Sequence, residues 1–132
     1  MISKLYRQLK EIADKEFGEI VEDSKIILSY TGRARKLRLQ LIDSTFIDIW
    51  YSPDGEYSFH WEQTEVRDEI YRHDNAPHQK WSRVKTFPKH CHNKTQNNVV
   101  ASNLPDNIEE ALRRFLSIVR KKMINLKHLK SD

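Results

Sequence analysis

Between Leu37 and Trp61 the chain repeats every two residues, and that period limits what it can become. Leu37, Leu39 and Leu41 alternate with Lys36, Arg38 and Gln40. Phe46–Tyr51 is β-branched and aromatic. Tyr57, Phe59 and Trp61 then alternate with Ser58 and His60. A period of two belongs to a strand with one face on a core and the other toward water. Asp43-Ser44 separates the first two runs. Ser52-Pro53-Asp54-Gly55 separates the next pair, with Pro at the second turn position and Gly at the fourth. Strands joined by such short turns predict an antiparallel sheet.

The flanks read differently. Ile2, Leu5, Leu9, Ile12 and Phe17 recur at helical spacing, which predicts an amphipathic helix from Ser3 to about Phe17, stopped by Gly18. Lys25–Tyr30 reads as a strand, and Gly32-Arg33 as a turn. Gln63–Glu69 is mostly charged and reads as a loop, followed by a strand at Ile70–His73. The stretch with Pro77 and Pro88 reads as an ordered loop, extended near His90–His92, and Val99–Ala101 as an edge strand. Asp106 with Glu109 three residues on resembles a capping box. Ile108, Leu112, Phe115, Val119 and Met123 form the stripe of a last helix, whose tail carries five Lys or Arg from Arg120 to Lys130. The expected fold is α+β: an N-terminal helix, an antiparallel sheet of about five to six strands, and a C-terminal helix packed on one sheet face.

At 132 residues the chain fits a single domain, residues 1–132. Three Trp, five Tyr and five Phe offset a modest apolar fraction, so disorder is not expected. No segment approaches the roughly 20 apolar residues of a membrane span, and no apolar run follows Lys4 and Arg7, so neither a membrane anchor nor a signal peptide is expected. The one cysteine, Cys91, allows no internal disulfide. The expected setting is the cytoplasm.

The net charge of +4 is unevenly spread. Met1–Tyr71 holds ten basic and fourteen acidic residues, whereas Arg72–Lys94 holds six basic residues and the single acid Asp74. A local excess of this kind suits an anionic partner such as a nucleic acid. A solvated surface would explain it too.

The same stretch concentrates imidazole. Five of six histidines lie between His60 and His92. His90-Cys91-His92 places two imidazoles on one face of an extended segment and turns Cys91 away. Such a pair either binds zinc with a third ligand, for which His78 is the nearest candidate, or contacts phosphates or carboxylates. In Arg72-His73-Asp74-Asn75-Ala76-Pro77-His78, Arg72 offers a fork suited to phosphate and Asp74 can orient a histidine or Arg72 itself. Asn75 begins a turn that presents His78. His60 stands on the polar parity of its strand and joins the site if that face meets the loop. Trp81 among Lys80, Arg83, Lys85 and Lys89 suits either stacking on a base, with the cations on the backbone, or anchoring of the loop. His73 and Cys91 receive no role, and His128 belongs to the basic tail.

Phe59-His60-Trp61, Arg72-His73-Asp74-Asn75-Ala76-Pro77-His78 and Thr86-Phe87-Pro88-Lys89-His90-Cys91-His92 resemble, in that order, the motifs of the TumE family. These are small toxins of bacterial and archaeal toxin–antitoxin loci, with the pattern H-W, R-x-D-N-A-P-H-H, T-F-P-x-H-x-H. Gln79 replaces the family's second histidine, the Trp81 neighbourhood differs, and Asp43-Ser44-Thr45 lacks the glycine of the family's central turn. The resemblance carries over His60, Arg72, Asp74, Asn75, His78, His90 and His92 as site residues. It implies a toxin that is covered by an antitoxin, itself expected to be a helix-turn-helix protein. RNA is the expected substrate, and a homodimer is compatible with the sequence.

Three readings of function follow. The first is a metal-independent endoribonuclease, with His78 and His90 or His92 as base and acid and Arg72 on the phosphate. The second is a non-catalytic module that binds nucleic acid or an acidic partner. The third is a metal-dependent nuclease whose divalent ion is held by His78, His90 and His92.

Overall fold

Alternation sorts the strands into two unlike faces, and one of them is covered by helices. The computed structural model describes residues 2–130, with side chains to residue 127. Helix α1 (Ile2–Glu16) leads into β1 (Val21–Leu28), β2 (Ala34–Leu41), β3 (Phe46–Tyr51) and β4 (Tyr57–Glu62). A short helix, α2 (Thr64–Arg67), precedes β5 (Ile70–Asp74), β6 (His90–Lys94), β7 (Val99–Ala101) and the long helix α3 (Ile108–Lys130). The seven strands pair in sequence order, every pair antiparallel. The expected α+β architecture is present, with seven strands rather than five to six.

Leu37, Leu39, Leu41, Ile47, Ile49, Phe59, Trp61 and Tyr71 fill one face and are buried. Helix α3 lays Leu112, Phe115 and Val119 on it, and the Phe115 ring lies 5.3 Å from that of Phe59 and 5.5 Å from that of Tyr71. Helix α1 adds Leu9, Ile12 and Tyr6. The Tyr6 hydroxyl donates to the Arg35 carbonyl at 3.1 Å and accepts the Tyr51 N–H at 3.0 Å. It thereby closes the β2–β3 ladder where the two strands diverge.

The turns do what their residues dictate. Ser52 Oγ accepts the N–H groups of Asp54 and Glu56, and Gly55 takes φ 90°. At the central turn Asp43 Oδ1 accepts the Thr45 N–H at 3.1 Å, and Ser44 takes φ 72°. That is the left-handed conformation for which glycine is best suited. Thr45 Oγ1 in turn accepts the buried indole N–H of Trp61 at 2.8 Å.

Three local expectations are corrected. Strand β1 runs from Val21 to Leu28, not Lys25 to Tyr30, because two irregularities in its pairing with β2 break the alternation. The charged segment after Gln63 forms α2, held by Arg67 on Asp43 at 2.6 Å. Helix α3 is capped by Asn107, whose Oδ1 accepts the Glu110 N–H at 3.0 Å; Asp106 instead pairs with Lys89.

Two substitutions test this account. Tyr6→Phe leaves the buried Tyr51 N–H without an acceptor and is expected to cost about 1–3 kcal/mol in urea unfolding. Ser44→Gly relieves a left-handed serine worth about 1–2 kcal/mol but adds glycine's entropy cost of about 0.5–1 kcal/mol. The expected result is a small rise in the urea midpoint with an unchanged slope.

Candidate functional site

Residues facing away from the helices line up across the sheet. Arg38 pairs with Asp48, Asp48 with His60, His60 with Arg72, and Arg72 with His92. One step along, Trp50 pairs with Ser58, Ser58 with Asp74, and Asp74 with His90. Opposed residues of an antiparallel pair share a face. The register alone therefore assembles Arg72, Asp74, His90 and His92 from two short strands.

Asp74 is the centre of the group. His90 Nε2 lies 3.1 Å from its Oδ1, off the line of a hydrogen bond, and His92 Nε2 lies 3.6 Å from its Oδ2. Oδ1 accepts the Ala76 N–H at 3.0 Å, and Oδ2 accepts from Arg72 Nε at 3.1 Å. Burial works to raise the Asp74 pKa, but the His92 imidazole, the Ala76 N–H and the charges of His90 and Arg72 outweigh it. The carboxyl is held below its ordinary value and is ionised at neutral pH.

The two imidazoles are fixed from behind. His90 Nδ1 lies 2.8 Å from the Pro88 carbonyl, and His92 Nδ1 lies 2.7 Å from the Gln96 carbonyl. A carbonyl only accepts, so both Nδ1 atoms carry hydrogen and donate. Both Nε2 atoms therefore face Asp74. His90 and His92 are 0% and 1% exposed.

A cleft of about 220 Å³ opens above this floor, walled by Trp50, Trp81 and Gln96. The 3₁₀ turn at Gln79–Trp81 carries Trp81 over the histidines, its ring 6.3 Å from that of His90 and 5.7 Å from that of His92. His78 lies exposed at the cleft's edge. The cleft shares Trp50, Ser58 and Arg72 with an open groove of about 1010 Å³ on the same sheet face, lined further by Arg33, Arg35, Lys36 and His60.

The sequence-derived residues do not all converge. Arg72, Asp74, His90 and His92 form the floor, and His78 stands apart from the group whose ligand atoms lie within 4.8 Å of one another. Asp74, not His78, is third to the histidine pair. His60 lines the groove rather than the cleft, with Nε2 3.1 Å from Glu62. Asn75 lines the cleft, but its amide is spent on the Tyr57 N–H and the Gly55 carbonyl, clamping the β3–β4 turn. Lys89 binds the Leu104 carbonyl and Asp106, so its charge ties the loop to the start of α3. Lys80 sits 4.9 Å from the Trp81 ring, while Arg83 and Lys85 are exposed on the loop.

His73 and Cys91 face the helices. His73 is bound to Ser102 Oγ and the Tyr71 hydroxyl, and burial with the Lys122 charge pushes its pKa down to about 4. Burial raises the Cys91 thiol to about 11, so it is no nucleophile at neutral pH. The side chain of His128 lies outside the described residues.

Four residues escape a reading of motifs. Trp50 is an aromatic on the polar parity of β3, a signal that was available in the alternation. Arg33 and Arg35 reach the groove from the β1–β2 end, far from the basic loop in sequence. Gln96 holds Arg72 with its side chain and His92 with its carbonyl, and nothing in its sequence setting announces that.

A family model described as Toxin TumE matches residues 8–123. The chain belongs to this family. The match spans every strand and all three motif segments, so the protein is a toxin component, and a toxin component implies an antitoxin partner. No curated protein and no solved structure matches the chain. Among the described residues, no helix is long and apolar enough to cross a membrane.

The geometry makes Trp81 the cover of the histidine pair. Trp81→Ala is expected to leave the fold intact by circular dichroism while His90 and His92 become modifiable by diethyl pyrocarbonate, read by peptide mass. Equal modification in the parent protein would contradict the covering role.

Proposed function

We propose that this TumE-family toxin cleaves single-stranded RNA in the cleft bounded by Trp50 and Trp81. The observation that carries the reading is continuity. A groove lined by Arg33, Arg35, Arg72 and the Lys36–Asp48 ion pair runs into a cleft whose floor is Asp74, His90 and His92. Cationic side chains along a groove suit a phosphate backbone, and an exposed Trp50 at the junction suits a stacked base.

RNA carries its own nucleophile. His78 accepts the 2′-hydroxyl proton, the 2′-oxygen attacks phosphorus, and the P–O5′ bond breaks. The 5′-oxygen leaves with a proton taken from water in the open cleft, His78 returns its proton to solvent, and the products are a 2′,3′-cyclic phosphate and a 5′-hydroxyl. Arg72 stabilises the charge on the phosphorane; its Nε and one Nη bind Asp74 and Gln96, which fixes its plane.

The test uses end-labelled single-stranded RNA, with and without ribosomes. Cleavage with a cyclic-phosphate end is expected, blocked by a 2′-deoxy substitution at the cut position. His78→Ala should lower the rate by roughly 10²–10⁴. A double Arg33→Glu, Arg35→Glu variant should weaken binding and flatten its salt dependence. Intact RNA under every condition, with folded protein, would overturn the catalytic reading and leave a binding module.

A further inference from the structure

We propose that Asp74, His90 and His92 form a binding site for one divalent transition-metal ion of the zinc class, open toward the cleft. The inference deepens the reading of that same cleft, but it stands on the floor's geometry and not on RNA chemistry.

The first argument is what the three groups present to one another. Both Nδ1 atoms lie on backbone carbonyls, so in the neutral imidazole the lone pair is on Nε2, the atom that faces Asp74. What lies in front is the Asp74 carboxylate, itself an acceptor. His90 Nε2 is fully buried and has no hydrogen-bond partner. Three acceptors converging in a buried place require a cation among them.

A single divalent ion serves all three groups at once.

The second argument is spacing. Zinc bonds of about 2.0–2.1 Å in a tetrahedral arrangement put ligand atoms about 3.3 Å apart. The histidine–carboxylate separations are 3.1 Å from His90 to Oδ1 and 3.6 Å from His92 to Oδ2, and one ligand atom from each residue lies within 4.8 Å of the other two, which one ion can draw together. Three protein ligands leave a fourth position free, and the cleft above the floor is where it points.

The third argument is the support behind the ligands. Histidines that bind metals donate their other N–H to a carbonyl or carboxylate, and ligating carboxylates are themselves hydrogen-bonded. Here Pro88 and Gln96 hold the imidazoles, and the Ala76 N–H and Arg72 hold Asp74. Two imidazoles with one carboxylate favour zinc, iron, nickel or copper over magnesium, which prefers an all-oxygen shell.

Equilibrium dialysis of untagged protein against Zn²⁺ or Mg²⁺, followed by elemental analysis, tests the site. About one zinc per chain and no comparable magnesium uptake is the expected result. His92→Ala and Asp74→Asn should each weaken zinc binding by more than the roughly 10–100-fold typical of losing a supporting contact. His78→Ala should leave it unchanged. Zinc uptake that is absent, or unaltered in folded His92→Ala and Asp74→Asn proteins, would overturn the proposal. Should those variants not fold, Co²⁺ titration of the parent protein decides. Intense visible bands of a four-coordinate ion support the site, and the weak spectrum of hydrated cobalt refutes it. Zinc binding without RNA cleavage would sink the nuclease reading alone. Cleavage at full rate by protein that takes up no zinc would sink the metal site alone.

Discussion

Strand register is the constraint on which everything else rests. Along each strand successive side chains go to opposite faces, so a slip of one residue exchanges the faces wholesale. In the observed pairing of β5 with β6, His73 and Cys91 go to the helices while Arg72, Asp74, His90 and His92 go to the other side. A slipped β6 would press both histidines against Phe115 and leave Asp74 without its imidazoles. The hydrophobic core therefore does more than stabilise the sheet. By demanding Phe59, Trp61 and Tyr71 on one face, it fixes which polar residues meet on the other.

This division also explains two histidine fates within twenty residues. His73 and His90 sit on neighbouring strands, both buried. His73 has a hydroxyl partner on each nitrogen and a lysine nearby, and it is neutral. His90 has a carbonyl behind it and a carboxylate ahead. Burial is common to both; the partners decide the chemistry.

The fold was legible where alternation was unbroken and turns were explicit. From Leu37 to Trp61 the strands lie where the period puts them, and Phe46–Tyr51 even has the expected ends. Legibility failed where a short or irregular element left no period to read. The bulged β1, the four-residue α2 and the one-residue shift of the α3 cap are of that kind. The site was legible as a list of residues more than as an arrangement. His90 and His92 on one face follows from their spacing, and so does the turn of Cys91 to the opposite face. That Asp74 rather than His78 joins them depends on pairing between strands separated by a fifteen-residue loop, which no local motif encodes. Lys89 misled for the opposite reason: its charge is real but already spent on Leu104 and Asp106.

Burying a carboxylate with two imidazoles opposes folding unless the surrounding backbone compensates. Here the compensation comes from segments that look unstructured in sequence. Ala76 supplies an N–H just after β5, Pro88 a carbonyl just before β6, and Gln96 a carbonyl in the turn to β7. Trp81 lies over the two imidazoles. The loop between β5 and β6 is thus the frame of the floor, and its ends are fixed by the same register that aligns the strands. Arg72 connects that frame to the open sheet: it braces Asp74, reaches Gln96, and lines both the cleft and the basic groove. The guanidinium lies directly against the Asp74 carboxylate, with Nε 3.1 Å from Oδ2. The residue that positions the floor is therefore also the one that joins it to the groove.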